Sequence, residues 1–338
     1  MAKTRSGKII TFYSYKGGAG RTMLLANVAW ILAQSGNRVL AVDWDLEAPG
    51  LQHFFRPFLL DTEVASTNGL IDFLWDFATA ALSPTDSDQS SDWHVQYANI
   101  LRHAVSLQWQ FPRGGMLDFV PAGRQDSSYS LRVNSFNWQN FYERIGGGAF
   151  FEAVKESMRT DYDYVLIDSR TGVSDTAGIC TVQFPDSLVV CFTLNRQSIE
   201  GAATVVRSVA SQRQKRAEAP IHIFPVPMRI EHFEMDMLTG QRAFARRAFH
   251  SLGPTGLDDR RYWENVEIPH QPRYSYFEQL AAFVENPADP SSLLAATLRL
   301  TSFLTDGEVT EFAFSVSPAD RQRILKIYGG ERSFNEVE

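Results

Sequence analysis

The chain has 338 residues, 44% apolar and 21% charged, enough core for one or two folded domains, which excludes a disordered or fibrous chain. Its net charge of −7 argues against a protein whose main task is coating nucleic acid, although a local basic patch stays compatible with it. Two cysteines, Cys180 and Cys191, exclude a disulfide framework and lack the clustered spacing of a zinc or iron–sulfur site, and they fit a reducing, cytoplasmic compartment.

No apolar run approaches the roughly 18 residues of a membrane span. The short stretch Ile9–Tyr15 is broken by polar residues and lacks a small-residue cleavage site, which argues against a signal peptide. In chain order, Lys8–Ser14 reads as a strand, Lys16–Gly20 as a glycine-rich turn, and Arg21–Ser35 as a helix with apolar residues at Leu24, Leu25, Val28, Ile31 and Leu32. Gly36 ends that helix and Arg38–Asp43 is a buried-type strand, so the first 43 residues make a βαβ unit with a parallel sheet.

Further strands are predicted at Leu117–Pro121, Asp163–Asp168, Ser187–Thr193, Pro220–Val226 and Asn265–Ile268. Helices are predicted at Leu70–Ala81, Trp138–Arg159 (interrupted at Gly146–Gly148), Glu200–Lys215, Phe233–Leu252, Tyr274–Phe283 and Pro290–Leu304. Near-continuous apolar strands imply a sheet covered on both faces. The expected architecture is a single α/β domain over 1–306, a mostly parallel twisted sheet with helices on both faces. Ser83–Asp92 is polar and acidic, and Arg102–Gly115 reads as irregular, so a mobile insertion is expected over 83–115. The remainder, 307–338, reads as a C-terminal helix and tail. Its basic amphipathic stretch Arg321–Tyr328 is short and precedes Glu331, Glu336 and Glu338, which favours docking on the core over a membrane surface.

The strongest chemical signal is Lys16-Gly17-Gly18-Ala19-Gly20-Arg21-Thr22, after a strand and opening a helix. Glycines let backbone N–H groups converge on phosphate oxygens, and the helix adds its N-terminal partial positive charge. Thr22 supplies a hydroxyl suited to Mg²⁺. The plainer reading, a structural turn, does not account for the flanks and the placed hydroxyl together.

This stretch resembles the deviant Walker A motif of ParA/MinD-type P-loop ATPases, KGGxGK[ST]. "RVLAVDWDLEAPGL" resembles that family's second strand and switch I, "YDYVLIDSRTG" its Walker B strand and switch II, and "VEIP" the late strand that leads to the adenine pocket. "YSYKGGAGRT", "DLEAPG", "LIDSRTG" and "PVPMR" together resemble more narrowly the KGGVGR-motif variant ATPases, bacterial proteins often found near conflict or signalling systems. The resemblance covers about residues 8 to 285. It implies ATP and Mg²⁺ as cofactors, with Gly17, Gly18, Ala19, Gly20, Arg21, Thr22 and Met23 on the nucleotide. It also implies a nucleotide-dependent homodimer in which Lys16 reaches the partner's nucleotide, where it would neutralise charge on the γ-phosphate.

The departure is Arg21, where an ordinary P-loop has lysine. Arginine keeps the charge but is planar, larger and bidentate. Two outcomes stand open: Arg21 clamps the phosphates and hydrolysis proceeds slowly, or ATP binds without turnover, since a displacement of about 1 Å can cost on the order of 100-fold in rate.

Asp43, Asp45 and Glu47 follow a strand end, the edge of a parallel sheet where ligands sit. By resemblance Asp45 orients the attacking water and Asp43 lies near the Mg²⁺ shell, while Glu47 has no assigned role. Asp168 ends an apolar strand and can hold Mg²⁺ through water, completing a metal set of Thr22, Asp43 and Asp168. Arg170 either senses the γ-phosphate or pairs with Asp175, and Gly172 would be the hinge of switch II. Pro227-Met228-Arg229 and Pro269-His270-Gln271 are strand ends of the kind that frame the base in the family, which puts Arg229 and Pro269 beside it. No N/T-K-x-D guanine signature occurs, and ATP over GTP rests on the resemblance.

Arg242, Arg246 and Arg247 with Phe244 and Phe249 offer a conceivable DNA face, disfavoured by the net charge in comparison with a solvated helix. The leading function is therefore an ATP-driven dimer switch that recruits an unidentified protein partner. Behind it stand a non-hydrolysing ATP sensor or scaffold, and then a DNA-partition or positioning ATPase.

Overall fold

The structure is a computed structural model that describes residues 6–82, 92–172, 178–215, 219–231, 235–250, 252, 259–286, 288–312, 314 and 316–329. The opening βαβ unit forms as β1 (Lys8–Ser14), α1 (Arg21–Gln34) and β2 (Arg38–Asp43). Then come α2 (Leu51–Phe55), α3 (Leu70–Leu82), β3 (Val105–Ser106), β4 (Met116–Val120) and the helices α4 (Tyr129–Ser135), α5 (Trp138–Glu143) and α6 (Gly147–Asp161). The second half holds β5 (Tyr164–Asp168), β6 (Ser187–Thr193), α7 (Arg196–Lys215), β7 (His222–Met228), α8 (Met235–Ala248), α9 (Asp259–Asn265), α10 (Ala281–Val284), α11 (Leu293–Leu304) and α12 (Pro318–Gly329).

The seven strands make one sheet in the order β3-β4-β2-β5-β1-β6-β7. All pairings are parallel except β3 with β4. The central strands are buried on both faces, and their alternation divides the core. Val39, Ala41, Leu117, Phe119, Tyr164 and Leu166 join the cluster under α1, α7 and α11. Leu40, Val42, Val120, Val165 and Ile167 join the opposite cluster under α3 and α6. Period-two side-chain alternation in a sheet covered on both faces requires this division.

Several elements differ from the sequence expectation. Trp138–Arg159 is two helices, because Gly146 takes a left-handed φ of +78° and caps α6. No strand forms over Asn265–Ile268: α9 runs to Asn265, and Pro269 makes only an isolated bridge to Ile230. Proline has no N–H with which to continue a ladder. Tyr274–Phe283 is not a helix; a turn at Pro272–Ser275 is followed by extended chain and the short α10. Within the insertion expected over 83–115, residues 83–91 lie outside the described residues. The later part packs on the body: Trp93 stacks on Phe77 at 5.2 Å, Trp109 lies 5.6 Å from Trp30, and β3 pairs with β4. At the C-terminal end, α12 buries Ile324, and the Tyr328 hydroxyl donates to the Phe54 carbonyl at 2.7 Å. The acidic tail residues lie outside the described residues. Among those described, no helix is long and apolar enough to cross a membrane.

Candidate functional site

The site assembles at the carboxyl ends of β1, β2 and β5, which lie side by side in the sheet with Phe12, Asp43 and Asp168 in one row. After β1 the chain turns through the glycine loop into α1. Gly18 (φ +76°) and Gly20 (φ +91°) occupy the left-handed region, which side chains with a Cβ enter only at a cost. A Cβ built on Gly17 or Gly18 meets no protein atom within 4 Å, so the loop faces open space. No side chain caps the helix at Gly20, and the first amides of α1 are left for another acceptor.

Arg21 does not project over this loop. Its guanidinium turns into the sheet edge and is 6% exposed. Nε donates to Asp168 Oδ1 at 2.5 Å and Nη2 to Asp45 Oδ2 at 3.0 Å, while Nη1 is buried with no hydrogen-bond partner among the described residues. Thr22 Oγ1 donates to the other Asp168 oxygen, Oδ2, at 2.6 Å. Burial opposes the charge on Arg21, but the Asp168 and Asp45 carboxylates outweigh it and hold its pKa above the ordinary arginine value. Asp168 is raised from the usual carboxylate range by burial, against the pull of Arg21 and Thr22.

Asp43 serves the loop after β2. Its Oδ1 accepts the Asp45 N–H, and its Oδ2 accepts the Gly50 and Leu51 N–H groups, each at 3.1 Å. The last two lie at the start of α2, so Asp43 braces the turn and the helix entry. Burial, and then the neighbouring Asp168 charge, push its pKa up to about 8 against the Leu51 N–H. Of the expected metal set, Thr22 and Asp168 are in direct contact, whereas Asp43 is engaged by backbone donors. Among the described residues, no group of three or more His, Cys, Asp or Glu side chains is arranged to hold a metal ion.

The remaining expected residues fall into two places. Lys16 is exposed and donates to the Gln197 carboxamide on α7, a partner invisible to motif reading because it lies 181 residues away. Beside it Gly201 lets the Tyr15 ring approach α7; a Cβ there would sit 2.3 Å from the ring. Arg170 pairs with Glu47, joining the segments after β5 and β2; Asp175, its alternative partner, lies outside the described residues. Tyr129 on α4 steadies the segment after β2, its hydroxyl donating to the Leu46 carbonyl at 2.8 Å.

On the other side of the loop, a cleft of about 60 Å³ is lined by Gly20, Met23, Met228, Arg229, Pro269 and Tyr274. Met23, Arg229 and Pro269 thus meet at one cleft beside the start of α1. Tyr274 and Ser275 were not foreseen there, because their segment reads as helix in the sequence. Arg229 takes a left-handed φ of +57° and donates to the Ser275 hydroxyl at 3.3 Å, a strained turn held from across the cleft. A larger apolar cavity of about 310 Å³ lies beside β3 and β4, between Leu59, Val64 and Phe119. On α8, Arg242 is engaged by Glu267 through two contacts of 2.6 and 2.5 Å, which withdraws it from the conceivable DNA face.

A family model described as an AAA domain matches residues 7–50, from β1 through the loop to the start of α2. Over 49 residues, 14% of this chain, the sequence is 44% identical to an uncharacterized ATP-binding protein of Methanocaldococcus jannaschii. The match spans 19% of that curated relative's length. The fold is similar to that of Cyanothece McdA in its ATP complex, with a TM-score of 0.61 and 15% identity over 92% of this chain and 99% of that one. It is also similar to the septum site-determining protein MinD of Pyrococcus horikoshii complexed with Mg-ADP, with a TM-score of 0.54 and 18% identity over 91% and 100% of the two chains. The chain therefore shares the fold of these proteins, a mostly parallel sheet covered by helices.

Proposed function

We propose that the chain is a ParA/MinD-type P-loop ATPase that binds ATP with Mg²⁺ and acts as a nucleotide-dependent dimer switch recruiting another protein. The observation that carries this reading is the glycine loop. Its Gly17 and Gly18 face open space beside the uncapped N-terminus of α1, where polyphosphate oxygens would find backbone donors. Arg21, the next residue in the chain after Gly20, keeps one buried guanidinium nitrogen without a partner among the described residues, a charged donor for an anion. The cleft at Met23, Arg229 and Pro269 lies where a base would continue from the loop. The likeness to proteins solved with ATP and with Mg-ADP supports the same ligand class.

Bound Mg²⁺-ATP would supply a phosphoryl group whose charge the cation neutralises. Toward it, Gly17–Met23 would bind the phosphates, and Thr22 and Asp168 would hold the cation. Asp45, 8% exposed, would orient a water, and Lys16 would leave Gln197 to reach across a dimer interface. Glu47 and Arg170 would move together, since they already join the two segments after β2 and β5.

Light-scattering mass measurement without added nucleotide, with ADP and with a non-hydrolysable ATP analogue tests the switch. The expected result is a doubled mass with the analogue alone, and ATP turnover that disappears in Asp45→Ala. An equal dimer in all three conditions contradicts it. The engagement of Arg21 by both Asp45 and Asp168 favours one second reading, a sensor that binds ATP without hydrolysing it. ATP recovered intact after prolonged incubation, with hydrolysis gained in Arg21→Lys, would select that reading.

A further inference from the structure

We propose that Arg21 is a two-position lock. In the arrangement described here it ties Asp45 to Asp168, and it releases them only to an anion over the glycine loop, so that polyphosphate engages before the divalent cation. This rests on the nucleotide-binding reading above and extends it to an order of assembly.

Both oxygens of Asp168 are occupied, Oδ1 by Arg21 Nε at 2.5 Å and Oδ2 by Thr22 Oγ1 at 2.6 Å. The pair that would ligate a cation is thereby closed on itself. Asp45 is held by a different edge of the same guanidinium, through Nη2 at 3.0 Å. A planar fork with donors on separate edges can span two carboxylates in this way; an ammonium offers all its donors from a single atom. The guanidinium also supplies the positive charge demanded by the two buried carboxylates it touches, Asp45 and Asp168. A cation entering beside it would meet a like charge in a poorly solvated place.

The same side chain has a second destination. Arg21 is the first residue of α1, directly after Gly20, and its Nη1 is buried without a partner among the described residues. A phosphate over the loop would offer oxygens in bidentate geometry, which suits guanidinium better than a single contact to each of two carboxylates does. The outer link between Arg170 and Glu47 is half-exposed, with side chains 34% and 54% accessible, and screening makes it the weaker tie. Arg21 is therefore a positioning residue whose departure frees Asp168 Oδ1 and Asp45 Oδ2 together.

The test uses the full chain and Mn²⁺ as probe, with free Mn²⁺ read by electron paramagnetic resonance in the absence of nucleotide. Arg21→Lys and Arg21→Gln are compared with wild type, and calorimetry follows ATP binding to wild type in EDTA. The lock predicts that both variants bind Mn²⁺ at least about tenfold more tightly than wild type, and that wild type still binds ATP in EDTA. A purely structural arginine would not raise metal affinity when replaced. If Arg21→Gln does not fold, Arg21→Lys, which keeps the charge, carries the comparison, and the EDTA titration needs no variant. Equal Mn²⁺ affinity in wild type and variants, or ATP binding by wild type that is lost in EDTA, overturns the lock while leaving Mg-ATP binding intact. Failure of wild type to bind ATP both with and without Mg²⁺ overturns the nucleotide reading, and the Mn²⁺ comparison still decides whether Arg21 withholds the carboxylates.

Discussion

Asp43→Asn isolates the electrostatic load of the site from its geometry. Asp43 is fully buried, and its carboxyl is pushed up to about 8 by burial and by Asp168, against an ordinary value near 4. A carboxyl with a raised folded pKa holds a proton that the unfolded chain has already released. Its stabilisation is complete below the ordinary pKa and fades as pH rises through 8. Between about pH 6 and about pH 8 the wild type should lose roughly 2 kcal/mol from this group alone. Asn keeps the size and can accept the Gly50 and Leu51 N–H groups but does not titrate, so it lacks the slope. Urea unfolding followed by circular dichroism across that range should show the stability difference, wild type minus variant, shrinking by that amount. A difference that stays constant or widens with pH would refute the assignment of a protonated Asp43.

Two other substitutions probe the supports of the site. Gly201→Ala places a methyl 2.3 Å from the Tyr15 ring, and displacing that ring should cost about 1–3 kcal/mol in urea unfolding; an unchanged midpoint would show that the contact yields freely. Tyr328→Phe removes the hydroxyl that anchors α12 to the Phe54 carbonyl. It should lower stability by about 1 kcal/mol and increase amide hydrogen exchange in α12, whereas unchanged exchange there would mean that Ile324 burial alone docks the helix.

The core of the fold was readable because its signals are local. β1, the glycine loop, α1 and β2 follow one another within 43 residues, and each carries its own signature: a β-branched run, left-handed glycines, a helical apolar stripe, a second buried run. The strands β5 and β6 stood out for the same reason. Short elements lack such signals. β3 is two residues long and exists through its pairing with β4, and α2 depends on Asp43 reaching forward to Gly50 and Leu51. The run at Val266 and Ile268 reads as a strand because both residues are apolar and β-branched, and both are buried, yet Pro269 makes only an isolated bridge.

In the site, the sequence singles out candidate residues but not the contacts between them. Thr22, Asp45 and Asp168 were singled out, but that Arg21 would bind both carboxylates depends on contacts 24 and 147 residues apart. Lys16 with Gln197, and Glu47 with Arg170, are likewise products of the tertiary fold. Asp43, expected near the Mg²⁺ shell, also accepts the backbone N–H groups of Asp45, Gly50 and Leu51. A carboxylate at a strand end resembles a metal ligand, and only the backbone donors around it reveal the brace.

Calorimetric titration of Mg-ATP into wild type and Gly17→Val tests the central claim most directly, because no protein atom lies within 4 Å of a Cβ at Gly17. The variant should fold as wild type does, judged by circular dichroism. Wild type should bind, and the valine, filling the space the phosphates need, should weaken binding by at least about a hundredfold. Equal affinity in the two proteins, or no heat of binding to wild type at millimolar Mg-ATP, would contradict the assignment of residues 16–22 as a phosphate cradle.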